Sequence, residues 1–213
     1  MIGRRELVTD SASEPLTAET FKTHARIDGA GDDLYVADLI KAVRKLFERE
    51  TGRILINQTW RIWFDSPFVR QNLEWWDGVR DGALITTSTN HLDLVFSPVS
   101  SIVSMKTYGL DNVATVFSSS NYFLDGVSHP SRLILNSGSQ WPVGIRSKNS
   151  VEVEIVAGFG TNESSVPADI RHVLLMAASH WYEHRGDCLD LEAEAAALKI
   201  IRPLVGKYRA RTL

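Results

Sequence analysis

The stretch Val151-Glu152-Val153-Glu154-Ile155-Val156-Ala157-Gly158-Phe159-Gly160, followed by Val166-Pro167-Ala168-Asp169-Ile170-Arg171, decides the architecture. Val151, Val153 and Ile155 alternate with Glu152 and Glu154, the period of two expected of a strand with one buried and one wet face. Beyond the glycines the period changes. Ile170, Val173, Leu174, Ala177 and Trp181 recur at helical spacing, and Pro167 stands in a first turn, where its missing N–H does no harm. A β region therefore hands over to a helical one near residue 158.

Upstream, the β signal continues back to about residue 57. Trp60, Ile62 and Phe64 alternate with Thr59, Arg61 and Trp63, and Leu92, Leu94 and Phe96 follow the same period. Further short strands are predicted over 102–108, 113–117, 121–125, 132–136 and 151–157. Turn signals such as Asp111-Asn112 and Asn136-Ser137-Gly138 separate them. Short antiparallel strands in a small barrel or sandwich fit this spacing. The segment from Ser66 to Gly82 is irregular and predicts a long hairpin loop; its adjacent Trp75 and Trp76 are either packing anchors of that loop or a partner contact.

Before residue 57 the pattern is helical. Thr17 caps a short helix over 18–26, and Asp32 or Asp33 opens a second one, with Val36, Ile40, Val43 and Phe47 on one face and Gly52 after its last turn. At the other end, a helix over about 189–201 is expected to stop at Pro203, and the basic end from Gly206 to Leu213 is too short to fold alone. The fold class is α+β. Segments 1–56 and 158–213 form a helical core with a basic C-terminal tail, and 57–157 is an inserted antiparallel β domain. Val36, Ile40, Phe47, Ile170, Leu174 and Trp181 are the expected core.

Composition narrows the function. The chain has 213 residues, 44% hydrophobic and 23% charged, in the globular range. Its formal charge of −3 disfavours non-specific nucleic-acid binding as the main activity. The single cysteine, Cys188, excludes an intrachain disulfide. No apolar run approaches a membrane span, and the first ten residues lack the apolar core of a signal peptide, so neither a membrane location nor secretion is expected.

Four motifs bear on chemistry. His180-Trp181-Tyr182-Glu183-His184 matches H-x-x-E-H, in which histidines at i and i+4 could bind zinc with Glu183 as general base. A third ligand would have to come from Glu192 or Glu194, and the plainer reading is the polar end of an amphipathic helix. Gly158-Phe159-Gly160 lacks the third glycine of a dinucleotide fingerprint, Glu163 standing in its place, and reads as a tight connection. Asp28, Asp32 and Asp33 lack calcium-loop spacing and read as helix caps. Glu152 and Glu154 share one strand face and read as solvated.

Several segments, in order, resemble one family. They are Pro15-Leu16-Thr17 through Phe21-Lys22-Thr23-His24-Ala25-Arg26-Ile27-Asp28; Thr51-Gly52-Arg53 with Gln58-Thr59-Trp60; and Ser97-Pro98-Val99 through Val103 and Tyr108. Trp141-Pro142, Val156 to Gly160, Val166 to Arg171 and His180 to Arg185 complete the set. Together, over roughly residues 15–209, they resemble the head–tail connector (adaptor) proteins of long-tailed double-stranded DNA phages and gene transfer agents. The loop 66–82 and the stretch 187–201 depart from that pattern.

The resemblance implies a structural virion protein of the neck, made in the host cytoplasm, forming a ring of twelve copies under the portal. Its implied partners are the portal protein, copies of itself, a head-closure or tail protein below, and genomic DNA passing through without sequence-specific binding. It implies no catalysis, cofactor or metal. Lys207, Tyr208, Arg209, Arg211 and Leu213 are the expected portal-binding residues, as an extended strand or threaded tail. The competing readings are a zinc-dependent hydrolase built on residues 180–184 and a generic β-domain binding module.

Overall fold

The computed structural model describes residues 4–66, 68–70, 86–88, 90–184 and 191–209. The helical layer forms as the periodicity demands. Helix α1 (Ala18–Ala25) starts where the Thr17 side chain accepts from the Thr20 N–H. Helix α2 (Asp33–Thr51) buries Val36, Leu39, Ile40, Val43, Leu46 and Phe47 along one stripe and ends at Gly52, whose φ of 69° is the left-handed conformation glycine adopts freely. Helix α3 (Ala168–Glu183) lays Ile170, Leu174, Ala177 and Ala178 on the same core. Trp181 is only partly buried at the margin of that core. At this end of α3 the neighbouring Tyr182 makes the edge-on contact with the buried Phe21 ring and bonds to Asp32. A full-size indole rarely disappears entirely from water.

Helix α4 (Leu191–Tyr208) corrects the expectation of a stop at Pro203: the proline lies inside the helix. Proline removes one helix hydrogen bond and crowds the preceding turn, but here the far side is held by tertiary contacts. Ile201 is fully buried, and Lys207 and Tyr208 both bond to Asp169 in the first turn of α3. Residues 203–208 are therefore helix and not an extended strand.

The β layer contains a five-stranded antiparallel sheet in the order β1 (Arg5–Thr9), β2 (Gln58–Phe64), β10 (Val151–Ala157), β6 (Val99–Tyr108) and β7 (Ala114–Val116). A three-stranded sheet orders β5 (His91–Asp93), β9 (Arg132–Leu135) and β8 (Tyr122–Asp125). Ile62, Phe64, Met105, Val151, Val153 and Ile155 from the first share one core with Leu92, Leu133 and Leu135 from the second, a sandwich of inward-facing alternate residues. Strand β1 matched no sequence signal. All five of its residues are exposed at the sheet edge, so no alternation exists to mark it. It belongs to the sheet although it precedes the helices. Two short strands, β3 (Phe68–Arg70) and β4 (Thr86–Ser88), pair as a separate ribbon.

The two layers meet along a seam. The Asn57 N–H donates to the Gly160 carbonyl, Phe159 N–H to Leu55, and Gly158 N–H to Pro98. A Cβ on Gly158 would lie 2.5 Å from the Asn57 nitrogen, which is why that position admits only glycine.

Candidate assembly interface

Several of the charged groups that the sequence left available for chemistry are engaged within the fold. The Glu152–Glu154 pair is not solvated as expected. β10 is a central strand, flanked by β2 and β6, whose long side chains cover it. Glu152 is 5% exposed and is held by the Tyr108 hydroxyl, by Lys106 at 3.3 Å and by Arg61 at 3.4 Å. Burial pushes its carboxyl up, but the hydrogen bonds from Tyr108 and Lys106 and the Arg61 charge outweigh that and hold it below the ordinary range. Glu154 pairs with Arg61 at 3.0 Å. The result is a polar lattice on the outer sheet face, with every carboxylate matched by a donor.

The H-x-x-E-H residues lie at the C-terminal end of α3. The His184 Nδ1 faces the His180 carbonyl at 2.8 Å, an ordinary helix-end contact, and the two rings stand 4.3 Å apart. The side chains of Glu192 and Glu194 lie outside those described, and no group of three candidate ligands gathers among the described residues. Asp33 is engaged by Lys22, and Asp32 by Tyr182.

What the structure gathers is a set of features suited to contact between proteins. The first is the β3–β4 ribbon, which pairs with neither sheet among the described residues; an isolated two-stranded ribbon is marginally stable in water and gains from being covered. Trp75 and Trp76, which sit between its strands in sequence, lie outside the described residues. The second is the tip of the β6–β7 hairpin. Leu110 N–H donates to Gly144, bringing exposed Leu110, Val113 and Val143 together. Val113 reads in the sequence as the start of a strand over 113–117, and nothing local links it to Leu110 or Val143, which the Gly144 contact brings near.

The third is the end of α4. Lys207 and Arg209 are exposed, and Tyr208 is half-buried with its hydroxyl on Asp169 at 2.9–3.0 Å. Its carbonyl accepts from Arg53 Nε at 2.8 Å. Arg211 and Leu213 lie outside the described residues. Asp169, paired with Lys207 and Tyr208, stays below the usual carboxylate range. Sequence reasoning missed both Arg53 and Asp169, since their partners lie far away along the chain.

No family model and no curated relative matches the sequence. Solved structures do. A chain from the neck of an empty gene transfer agent (GTA) particle, computed with C6 symmetry, matches with a TM-score of 0.73 at 18% identity, covering 99% of this chain and 97% of that one. A chain from the virion of a native gene transfer agent particle matches at 0.68 and 20% identity, covering 98% and 96%. A chain from the neck of the native particle, computed with C12 symmetry, matches at 0.68 and 18% identity, covering 99% and 97%. The α+β fold of this chain, from one end to the other, is the fold of chains found in gene transfer agent particles, two of them in the particle neck.

Proposed function

We propose that the protein is a structural subunit of a virion neck, a head–tail connector (adaptor) that forms a ring of twelve copies beneath the portal. The carrying observation is the structural match over 98–99% of this chain and 96–97% of chains found in gene transfer agent particles. Necks computed with C6 and C12 symmetry suit a closed ring, whose interface must be heterologous. Glu152 and Glu154 are tied into the sheet by Arg61, Lys106 and Tyr108, as suits a structural role. A formal charge of −3 suits a channel that DNA traverses without being held.

The partners on this reading are the portal protein, neighbouring copies, and a head-closure or tail protein on the far side. The end of α4, with Lys207, Tyr208 and Arg209, carries the portal-facing segment that continues through Arg211 to Leu213. The β3–β4 ribbon, with Trp75 and Trp76 between its strands, reaches a neighbour. Deletion of residues 210–213, which spares the Lys207 and Tyr208 contacts, tests this. The expected result is loss of binding to purified portal, seen by negative-stain imaging, with the twelve-fold ring absent. Undiminished assembly of tailed particles overturns the assignment of the docking segment.

A further inference from the structure

The last turn of α4 is gripped from two sides. On one side Lys207 and the Tyr208 hydroxyl share the Asp169 carboxylate, with Lys207 at 2.9 Å. On the other, Arg53 reaches across the seam and donates to the Tyr208 carbonyl. Arg53 is buried, yet it forms no ion pair with a carboxylate among the described residues. Its charge is offset by the negative end of the α4 dipole, where unpaired carbonyls collect.

The same guanidinium donates through Nη1 to Ser97 Oγ at 3.2 Å and meets His129 Nδ1 at 3.3 Å; Ser97 Oγ also lies 3.0 Å from that nitrogen. Arginine has donors only. His129 Nδ1 must therefore accept, which requires a neutral ring with its proton on Nε2.

We propose that Arg53 is a positioning residue for the C-terminal segment: it fixes the direction in which the chain leaves Tyr208, and its grip holds only while His129 is neutral. The consequence for docking rests on the portal-binding reading above; the latch itself does not. A proton on Nδ1 would place a second cation beside the guanidinium and remove an acceptor. Three groups face the imidazole: Arg53 from the α2–β2 connection, Ser97 from the segment before β6, and Asp125 from β8. Asp125 favours the proton, but its oxygens already accept from the Val127 and Ser128 N–H groups and the Ser128 hydroxyl. Burial and Arg53 hold the imidazole below its ordinary range, so the latch opens in acid and is closed at neutral pH.

Amide hydrogen exchange on the full chain tests the latch without any partner. Arg53→Met is expected to speed exchange in residues 204–208 at least tenfold at neutral pH, with α2 and β10 unchanged. Lowering the pH from about 7.5 to 5 is expected to loosen the same turn, after correction for intrinsic exchange, in the natural protein and not in His129→Gln. The His129 titration, followed by NMR, is expected to move up in Arg53→Met. Uniform acceleration across α2 and β10, an unmoved last turn, or an unchanged His129 titration overturns the proposal. Normal latch behaviour together with lost or retained portal binding speaks only to the docking reading, so the two failures are distinguishable.

Discussion

Arg44 and Arg53 are both buried in this molecule, and they are held in opposite ways. Arg44, 1% exposed, sits among three carboxylates: Glu14 at 2.7 Å, Glu48 at 3.1 Å and Asp10 at 3.2 Å. Glu48 in turn accepts from the Leu55 N–H and from the Gln58 side chain, so this knot rivets the N-terminal segment, α2 and the start of the sheet together. Arg53 has a backbone carbonyl, a serine and a neutral histidine. Burial lowers the proton affinity of both guanidiniums; at Arg44 the bond to Glu14 and the charges of Glu48, Glu14 and Asp10 together outweigh it, whereas at Arg53 burial prevails. The difference separates a permanent rivet from a releasable latch. A buried cation with several matched anions cannot leave without stranding them, whereas one held by neutral acceptors strands little.

The sharpest way to break this comparison is Arg44→Met. It leaves buried Glu48 without its cation and is expected to cost about 3–5 kcal/mol by chemical denaturation, the usual penalty for removing one partner of a buried pair. Arg53→Met is expected to cost less, about 1.5–3 kcal/mol, the range for hydrogen bonds to a charged group. Equal costs would erase the distinction between rivet and latch.

Acid titration sharpens it further. Glu48 is raised above its ordinary value of 4.5 by burial, against the pull of Arg44. The folded state therefore takes up that proton more readily than the unfolded one, and this contribution favours folding at low pH and is lost as pH rises through the folded pKa. Relative to the natural protein, Glu48→Gln is expected to gain stability as pH rises from about 4.5 to 7. A constant difference across that range would contradict the direction.

Asp169 works with the opposite sign and gives the smallest effect. Its carboxyl is lowered from 3.8, chiefly by its bond to Lys207, so its contribution is present above about pH 4 and is lost as pH falls through the folded pKa. In Asp169→Asn that acid-dependent part is expected to vanish from the denaturation curve. The effect shrinks with added salt, because the pair is open to solvent.

Much of the architecture was legible in the residues. The stripe on α2, the alternation in β2 and β10, the Thr17 cap and the left-handed Gly52 all follow from local spacing and local stereochemistry, which is why helix and strand boundaries fell close to their expected places. The resemblance to neck connector proteins drew on the order of many weak motifs, and chains of gene transfer agent particles, two of them from the neck, share the fold.

Four features were decided only by the tertiary structure. Strand β1 has no period of its own and takes its register from β2. Glu152 looks solvated until neighbouring strands bring Arg61, Lys106 and Tyr108 over it. Pro203 reads as a helix end, yet α4 continues because Asp169 and Arg53 hold the turn beyond it. Arg53 itself looks like one more surface cation. Sequence encodes what neighbouring residues do to one another through the backbone; the settings of Glu152, Pro203 and Arg53 depend on groups far away along the chain, and only the packing of the helical layer on the sheets places those groups within bonding distance.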